Sequence, residues 1–490
     1  MKHFYLNNTI KFYLMSALLL TLSYFAIFQD LGSVHIQMWD EATYANNSID
    51  MLMNDNWITV MHENEPDLYN TKPPLIIWLQ ALSMSIFGIN EFSVRFPSAM
   101  FGLLTVISIF VFSLKVLKNN FIGLSSAIIL LSSSGFMGHH VVITGDLDSS
   151  LVFWLTFYSL IFLTTLFYKK YENNLAYLLI SAGICFSFLT KGVAGFLFLP
   201  SLFIISLLFN NRRLYAGYRV YYYMFLTLFI CCSYYYIREI DSPGYFKIVW
   251  ENEILRINNI VMDWQVKPFN YYLKNLIETR FYPYFIFLPL SILTFLFHDR
   301  NSKLLKTTIY LFTIAVGYFL IISYPPVKLE WYDAPLLPIL SLIVAINLHV
   351  VIKLFKINSL WVKFLVVIVL LTNTSNSVLS NNLSAKDVYI MERDGLFLKE
   401  IVKKYPNIQK LTVFKVENHS EHYDQVLFYK RAFLLEKGID IVIKQIPQFI
   451  VGEYILVCKD ELQTLLLKEF VTEVVFQNKI GVLHKIIKKV

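Results

Sequence analysis

Charge is the scarcest resource in this chain. Of 490 residues only 16% are Asp, Glu, Lys or Arg, while 56% are hydrophobic, and the mean hydropathy is +0.53. A water-soluble fold of this length has no interior large enough for that much apolar side chain, so lipid must be part of its solvent. Cysteine is nearly absent. Cys185, Cys231 and Cys232 fall in apolar runs and Cys458 in an expected strand. None has metal-ligand spacing, which excludes a disulfide framework and a cysteine-held zinc. Low-complexity tracts and convincing short repeats are missing too. The net charge of +7 does not point to nucleic acid, because the basic residues form short clusters between apolar runs, as cytoplasmic loops do.

Long apolar runs are what the chain has in abundance. Eleven of them, near 12–28, 96–114, 121–138, 149–168, 174–190, 192–210, 220–237, 281–298, 304–323, 334–352 and 360–379, are each roughly long enough to cross a hydrocarbon core as a helix. The first follows Lys2 and Lys11 without a small-residue cleavage site and reads as a retained anchor. Tyrosine triplets at 221–223 and 234–236 flank the seventh as interfacial belts. A twelfth stretch, 73–88, is decided by charge. If it does not cross, Lys2/Lys11, Lys115/Lys118, Lys169/Lys170, Arg212/Arg213/Arg219, Arg300/Lys303/Lys306 and Lys353/Lys356 share one side, the cytoplasm by the positive-inside rule. We therefore expect 73–88 to lie in the outer interface.

The expected fold is a polytopic α-helical membrane protein of about eleven spans, with residues 1–383 as the transmembrane domain. Three segments then face away from the cytoplasm. Residues 29–95 form an acidic first loop and 238–280 a second long loop, whose stripe of Phe246, Val249, Trp250, Ile257, Ile260 and Val261 suits an interfacial helix. Residues 384–490 carry strand-like runs at 411–416, 425–430, 439–444 and 453–459, with helical stretches near 394–404 and 460–470. That pattern predicts a small extracytoplasmic α/β domain.

The rare charged residues gather at the outer ends of the spans. Asp40 and Glu41 follow the first span directly; Asp40 either caps a helix from Ala42 or accepts a proton from an attacking hydroxyl. Lys72 precedes Pro73-Pro74, where it either snorkels to the interface or binds a lipid phosphate. Asp146-Leu147-Asp148 follows His139 and His140; DxD spacing suits a metal or sugar phosphate, and a helix cap is the alternative for Asp148. The histidines read better as interfacial residues than as metal ligands. Lys191, in Thr190-Lys191-Gly192, needs an anion or water beside a membrane segment. Lys328 can pair with Glu330, and Arg256 with Glu253 at i−3. Outer carboxylates and cations beside a bilayer suit a reaction on a lipid phosphate: the cations hold the leaving phosphate while a carboxylate activates an acceptor hydroxyl.

Several of these residues sit in motifs that together resemble a known family. Asp40-Glu41-Ala42-Thr43-Tyr44-Ala45 is similar to the "DEARYA" opening of membrane glycosyltransferases of the aminoarabinose transferase and protein mannosyltransferase type (families 39 and 83). Lys72 to Leu79 resembles "KPPLLYWL", and Phe87 to Ser98 follows "FGxxEFxxRxPS". Gly145 to Leu151 resembles the second acidic motif, Phe188 to Gly192 "FLTKG", and Trp250 to Arg256 "WENHLxRF". Lys328 to Tyr332, with Pro335 and Pro338, resembles "KLxWYxLPxxP". The similarity runs from about residue 12 to 352 in matching order. Departures are Thr71 where an acid often precedes the lysine, with Glu65 as a substitute, Glu253 where histidine is common, and Asp333 where an apolar residue is usual.

The resemblance implies a GT-C fold, a polyprenyl-phosphate-linked sugar donor and transfer on the outer face of the inner (plasma) membrane. It implies Asp40 as leading catalytic carboxylate beside Glu41, with Asp148 a second acid shaping the site. Lys72, Lys191, Arg256 and Lys328 are the donor-phosphate contacts, and Tyr44, Glu65 and Tyr332 further substrate contacts. The expected acceptor is a lipid A-like glycolipid, a glycan or a protein. No obligatory metal is expected, although an aspartate pair near phosphate can hold a divalent cation. The rival readings are a secondary transporter, which needs ionisable residues at the bilayer midplane and broken helices, and a non-enzymatic envelope assembly protein, which tolerates joint loss of Asp40 and Lys72.

Overall fold

The computed structural model describes residues 8–68, 70–168, 172–211, 213–255, 265–299, 302–356, 393–414, 423–444, 448–458 and 460–490. In chain order its main elements are α1 (Asn8–Ser23), α2 (Asp40–Asn54), the two-residue strands β1 (Met61–His62) and β2 (Glu65–Pro66), α3 (Leu75–Phe87), α4 (Glu91–Lys115), α5 (Asn120–Leu131), α6 (Asp148–Phe167), α7 (Asn174–Lys191), α8 (Leu199–Leu208), α9 (Tyr218–Asp241), α10 (Lys303–Ser323), α11 (Leu336–Leu354), α12 (Arg393–Lys404), β3 (Lys410–Phe414), α13 (Tyr423–Lys437), β4 (Asp440–Lys444), β5 (Tyr454–Val457), α14 (Asp460–Glu469), β6 (Phe470–Gln477) and β7 (Val482–Lys489). The chain divides into two compact units. One comprises Met1–Gln29, Leu68–Ile76 and Ser98–Leu383, and the other Asp30–Asp67, Ile77–Pro97 and Ser384–Val490.

The first is the membrane unit. Among the described residues six helices are long and apolar enough to cross a bilayer: α4, α6, α7 with its 3-10 extension to Phe196, α9, α10 and α11. Tyr271–Arg280 and Tyr284–Phe297 form a seventh candidate, bent by 115° at its break. The chain is thus a multi-pass membrane protein. The expected count of eleven is not reproduced by helix length. The runs at 12–28, 121–138 and 192–210 are shorter helices, and 360–379 lies outside the described residues. The 121–138 run breaks at Ser132, the C-cap of α5, just before Ser133-Ser134-Gly135. α3, at 13 residues, is about 20 Å long, too short for a ~30 Å core.

Many polar groups inside this unit are satisfied locally, as an environment without water favours. Asn119 accepts from the Ile122 N–H (3.1 Å) and caps α5; Asn173 does the same for α7 through Ala176 (2.9 Å). Hydroxyls of Thr105, Ser113 and Thr308 donate to carbonyls four residues back. Large apolar side chains remain exposed on α9, including Phe225 and Phe229, which is the surface a lipid-facing helix presents.

The second unit is built on a five-stranded mixed sheet of order β4-β3-β5-β7-β6, parallel for β4-β3-β5 and antiparallel for β5-β7-β6. Residues 425–430, expected as a strand, lie instead in α13. Topology explains the difference: β3 and β4 are parallel neighbours, and a parallel pair needs a crossover, which α13 provides. β6 and β7 close the sheet beyond the four strands anticipated. The core joins segments far apart in sequence: Ile49 of α2, Met84 of α3, Val94 of α4, Phe397 of α12, Leu411 of β3 and Phe428 of α13 are all buried in one cluster. Burying each such side chain contributes about 1.5–3 kcal/mol. Of the first outer loop, 30–67 and 77–95 fall in this unit and 68–76 in the membrane unit.

Candidate active site

In the membrane unit the DxD segment is held between two helices. Ser98 of α4 donates its hydroxyl to the Asp146 carbonyl (2.8 Å), and Ser149 donates back to the Ser98 carbonyl (2.6 Å). This reciprocal pair fixes the turn from which both acids project. α6 starts at Asp148 itself, with Leu147 in the cap position, so the helix-cap reading of Asp148 is not what the structure shows. Its carboxylate instead receives the Lys191 ammonium, at 2.6 Å and 2.8 Å from its two oxygens. Lys191 is the last residue of α7. The helix changes there from α to 3-10, and Gly192 takes φ +55°, a conformation L side chains rarely adopt. The Ser150 and Thr190 hydroxyls, 3.0 Å apart, fasten the same two helix ends.

Asp146 faces His140 at 3.2 Å. Burial pushes its carboxyl upward, but the charge and hydrogen bond of His140 outweigh it and hold Asp146 below the usual carboxylate range. His140 in turn stacks on Trp331, with ring centroids 3.7 Å apart and planes 17° apart. The neighbouring Tyr332 ring lies 5.1 Å from the Lys191 ammonium, a cation–π contact. Two acids, one lysine, one histidine and two aromatic rings are therefore drawn together from the 139–150 segment, the end of α7 and the turn Glu330–Asp333. Sequence reasoning singled out Asp148, Lys191 and Tyr332 but not their mutual contacts, and it missed Trp331.

Lys72 is paired elsewhere in this unit. Its ammonium donates to Glu253, and the Thr71 hydroxyl donates to the same oxygen at 2.9 Å. The Tyr245 hydroxyl holds the Thr71 carbonyl (2.8 Å). Two departures from the family pattern thus meet in space: the acid absent at 71 is supplied by 253. Glu65, named as its substitute, is exposed in β2. Lys328 is buried and donates to the carbonyls of Lys267 (3.0 Å) and Pro325; burial lowers its pKa. Arg256 lies outside the described residues.

In the sheet unit, α2 begins at Asp40, preceded by Trp39 at φ +73°. Asp40 therefore occupies the first helical turn rather than the cap. A non-glycine residue in that region is costly, and such strain concentrates at functional sites. Glu41 is wholly engaged: its oxygens receive Arg95 at 2.7 Å and 2.9 Å and the Gln37 N–H at 2.7 Å. Arg95 also donates to the carbonyls of Leu31, Val34 and His35. Glu41 thus braces the loop that presents Asp40. Tyr44 is buried in the same helix.

The architecture is that of the GT-C membrane fold. The crystal structure of ArnT from Cupriavidus metallidurans bound to undecaprenyl phosphate aligns over 98% of each chain, with a TM-score of 0.64 at 16% identity. The archaeal oligosaccharyltransferase AglB from Archaeoglobus fulgidus, in complex with an inhibitory peptide and a dolichol-phosphate, aligns over 86% of this chain and 64% of that one, with a TM-score of 0.52 at 11% identity. Within that class, residues 71–236 match the family model of the dolichyl-phosphate-mannose-protein mannosyltransferases, a range holding Lys72, Asp148 and Lys191. The undecaprenyl phosphate-alpha-4-amino-4-deoxy-L-arabinose arabinosyl transferase of Wigglesworthia glossinidia brevipalpis is 34% identical over 176 residues, 35% of this chain and 30% of that protein. An uncharacterized protein of Aquifex aeolicus is 25% identical over 326 residues, 65% of this chain and 60% of that one. The alignments to these two relatives span less than two thirds of either. The resemblance read from the motifs, to aminoarabinose transferases and protein mannosyltransferases, is borne out.

Proposed function

We propose that the chain transfers a sugar from a polyprenyl-phosphate-linked donor to a lipid A-like glycolipid, a glycan or a protein on the extracytoplasmic face of the inner membrane. One observation carries this reading. The Asp148–Lys191 pair, its acid buried and its lysine partly so, lies beside Tyr332 where two apolar helices end, and a lysine and an acid at the edge of a membrane unit of this fold support a site for a lipid phosphate. Asp40 takes the proton of the acceptor hydroxyl. The freed oxygen attacks the anomeric carbon, and the bond from that carbon to the phosphate oxygen breaks, its electron pair leaving with the polyprenyl phosphate.

Lys72 and Lys191 are the leading phosphate contacts. Each is held by a carboxylate that keeps it charged and in place until the more highly charged phosphate arrives. Arg256 and Lys328 are secondary, since Lys328 already spends its donors on carbonyls. Glu41 acts by holding the Asp40 loop. The reaction needs no obligatory divalent cation, because lysines supply the charge beside the phosphate. A hexosyl or pentosyl donor fits equally; the names of the relatives favour an amino pentose. In this reading eleven spans place the tail outside: the six long helices and the bent pair, the three shorter apolar helices at 12–28, 121–138 and 192–210, and the apolar run 360–379. The transporter alternative is less favoured because the ion pairs of the membrane unit gather at helix ends and turns.

The test is transfer from undecaprenyl-phosphate-linked aminoarabinose to lipid A in proteoliposomes, with mass spectrometry of the envelope lipids from cells with and without the protein. Asp40→Asn is expected to lower turnover by about 10²–10⁴-fold. Full activity in that variant sinks the mechanism, and an unchanged lipid and glycan profile in cells sinks the reaction class.

A further inference from the structure

Asp333 departs from the family pattern, and its surroundings explain what the departure provides. It ends the turn Glu330–Asp333 that carries Trp331 and Tyr332. Its side chain is fully buried and opposed by an almost fully buried Arg280. The Arg280 Nε donates to Asp333 Oδ1 at 2.6 Å, while another of its nitrogens donates to the Gly135 carbonyl at 3.1 Å. A third lies 3.6 Å from Glu330. Asp333 Oδ2 is buried and, unlike Oδ1, receives no hydrogen bond. Gly135 has to be glycine for this contact: a Cβ there would stand 2.9 Å from the Arg280 Cβ and 2.9 Å from Leu337.

One guanidinium thus ties together two separate stretches of chain. Gly135 leads into the segment carrying His140, Asp146 and Asp148; Asp333 ends the turn carrying Trp331 and Tyr332. Those two stretches meet again where His140 stacks on Trp331. Hydrogen bonds from Tyr272 to the Leu329 carbonyl (3.0 Å) and from Tyr318 to the Tyr332 carbonyl (2.9 Å) hold the turn from other helices. The Arg280 guanidinium, paired with Asp333 and 3.6 Å from Glu330, joins the turn to the Gly135 carbonyl that leads into the histidine-bearing segment. Isolating a charge in such a place is costly, so each partner enforces the position of the other.

We propose that Arg280 and Asp333 are positioning residues for this site: their ion pair sets the turn so that Trp331 stays stacked on His140 and Tyr332 stays beside Lys191. The inference rests on the transferase reading only for its consequence in turnover; the placement itself can be measured without substrate.

The experiment is labelling of the purified full-length protein with diethyl pyrocarbonate at constant pH. Site occupancy is read by tandem mass spectrometry at His140, with His139 and His349 as internal references. Asp333→Leu is expected to speed labelling at His140 severalfold with the references unchanged. It should also lower turnover by about ten- to a hundredfold, as misplacement of a site does, with the donor KM within about twofold of wild type. Asp333→Asn keeps an oxygen for the Arg280 Nε and is expected to restore most of both. If Asp333→Leu unmasks every histidine together, Arg280→Lys, which keeps the charge but loses the Gly135 carbonyl, must show the selective rise at His140. Labelling at His140 that matches wild type in folded Asp333→Leu and Arg280→Lys overturns the proposal. Selective exposure of His140 in a protein that transfers no sugar sustains the positioning role and defeats the transferase reading; active transfer with His140 labelling unchanged does the reverse.

Discussion

The two units use charge in opposite ways. In the membrane unit, the ion pairs at the candidate site (Asp148–Lys191, Asp146–His140, Glu253–Lys72) occupy helix ends and turns, and in the proposed reading a bound phosphate takes the place of the acids on Lys191 and Lys72. In the sheet unit the pairs bind one stretch of chain to another. Arg95 holds Glu41, Arg431 holds Asp50 (3.1 Å), Lys399 holds Glu91 (2.9 Å) and Asp424 holds His62 (3.2 Å). Asp424 also accepts from Thr43 at 2.5 Å, one turn beyond Asp40. Charge that is exchangeable in one unit is structural in the other.

Substitutions at matched pairs separate these uses. The largest effect is expected from Asp148→Ala, which removes the carboxylate whose two oxygens both bind the Lys191 ammonium; breaking such a largely buried pair costs about 3–5 kcal/mol and abolishes detectable transfer. Thermal unfolding in detergent and a transfer assay read the two losses, and an active Asp148→Ala protein would show that the pair is not part of the site. Phe428→Ala empties the core of the sheet unit and is expected to cost about 3–5 kcal/mol, seen as faster proteolysis within 30–67 and within the tail together. Cleavage in the tail alone would break the claim that these segments share one core.

Glu41→Gln keeps an acceptor for Arg95 but loses the charge, for a smaller loss of about 1.5–3 kcal/mol. Full stability there would return Glu41 to the list of catalytic candidates. The smallest effect is on pH. The hydrogen bond to Asp424 raises the His62 pKa against the lowering effect of burial, so the folded state binds the proton more tightly than the unfolded chain does. The stabilisation is complete below the ordinary value near 6.5 and is lost as pH rises through the raised value. It amounts to less than ~1 kcal/mol. Hydrogen exchange of the Thr43 to Asn47 amides should quicken over that window beyond the intrinsic rate, and His62→Gln should flatten the response.

Much of the membrane unit was legible because hydropathy is a property of contiguous residues. The spans at α4, α6, α7, α9, α10 and α11 fall where the apolar runs do. The 121–138 run gave a shorter helix at its Ser132-Ser133-Ser134-Gly135 cluster, which a hydropathy window averages away. The site was legible residue by residue through its motifs, yet not as an arrangement. Nothing local says that Lys191 reaches back 43 residues to Asp148, or that Glu253 takes the place of an acid missing at 71. Two departures of complementary character, Thr71 with Glu253, were the available signal. The strand expected at 425–430 failed for a nonlocal reason as well: its β-rich composition yields to the crossover that parallel β3 and β4 require.

The split composition of the sheet unit has a consequence for synthesis. Ile36 offers its N–H to the hydroxyl of Tyr429, 393 residues further on. At roughly 5–20 residues per second, about 20–80 s separate the emergence of the two partners from the ribosome. Throughout that interval the face of Ile49, Ala42 and Ala45 lacks the part of its cover that α12, β3 and α13 supply. With the tail outside, as proposed above, that face needs shielding on the far side of the bilayer while the rest of the chain is still being threaded.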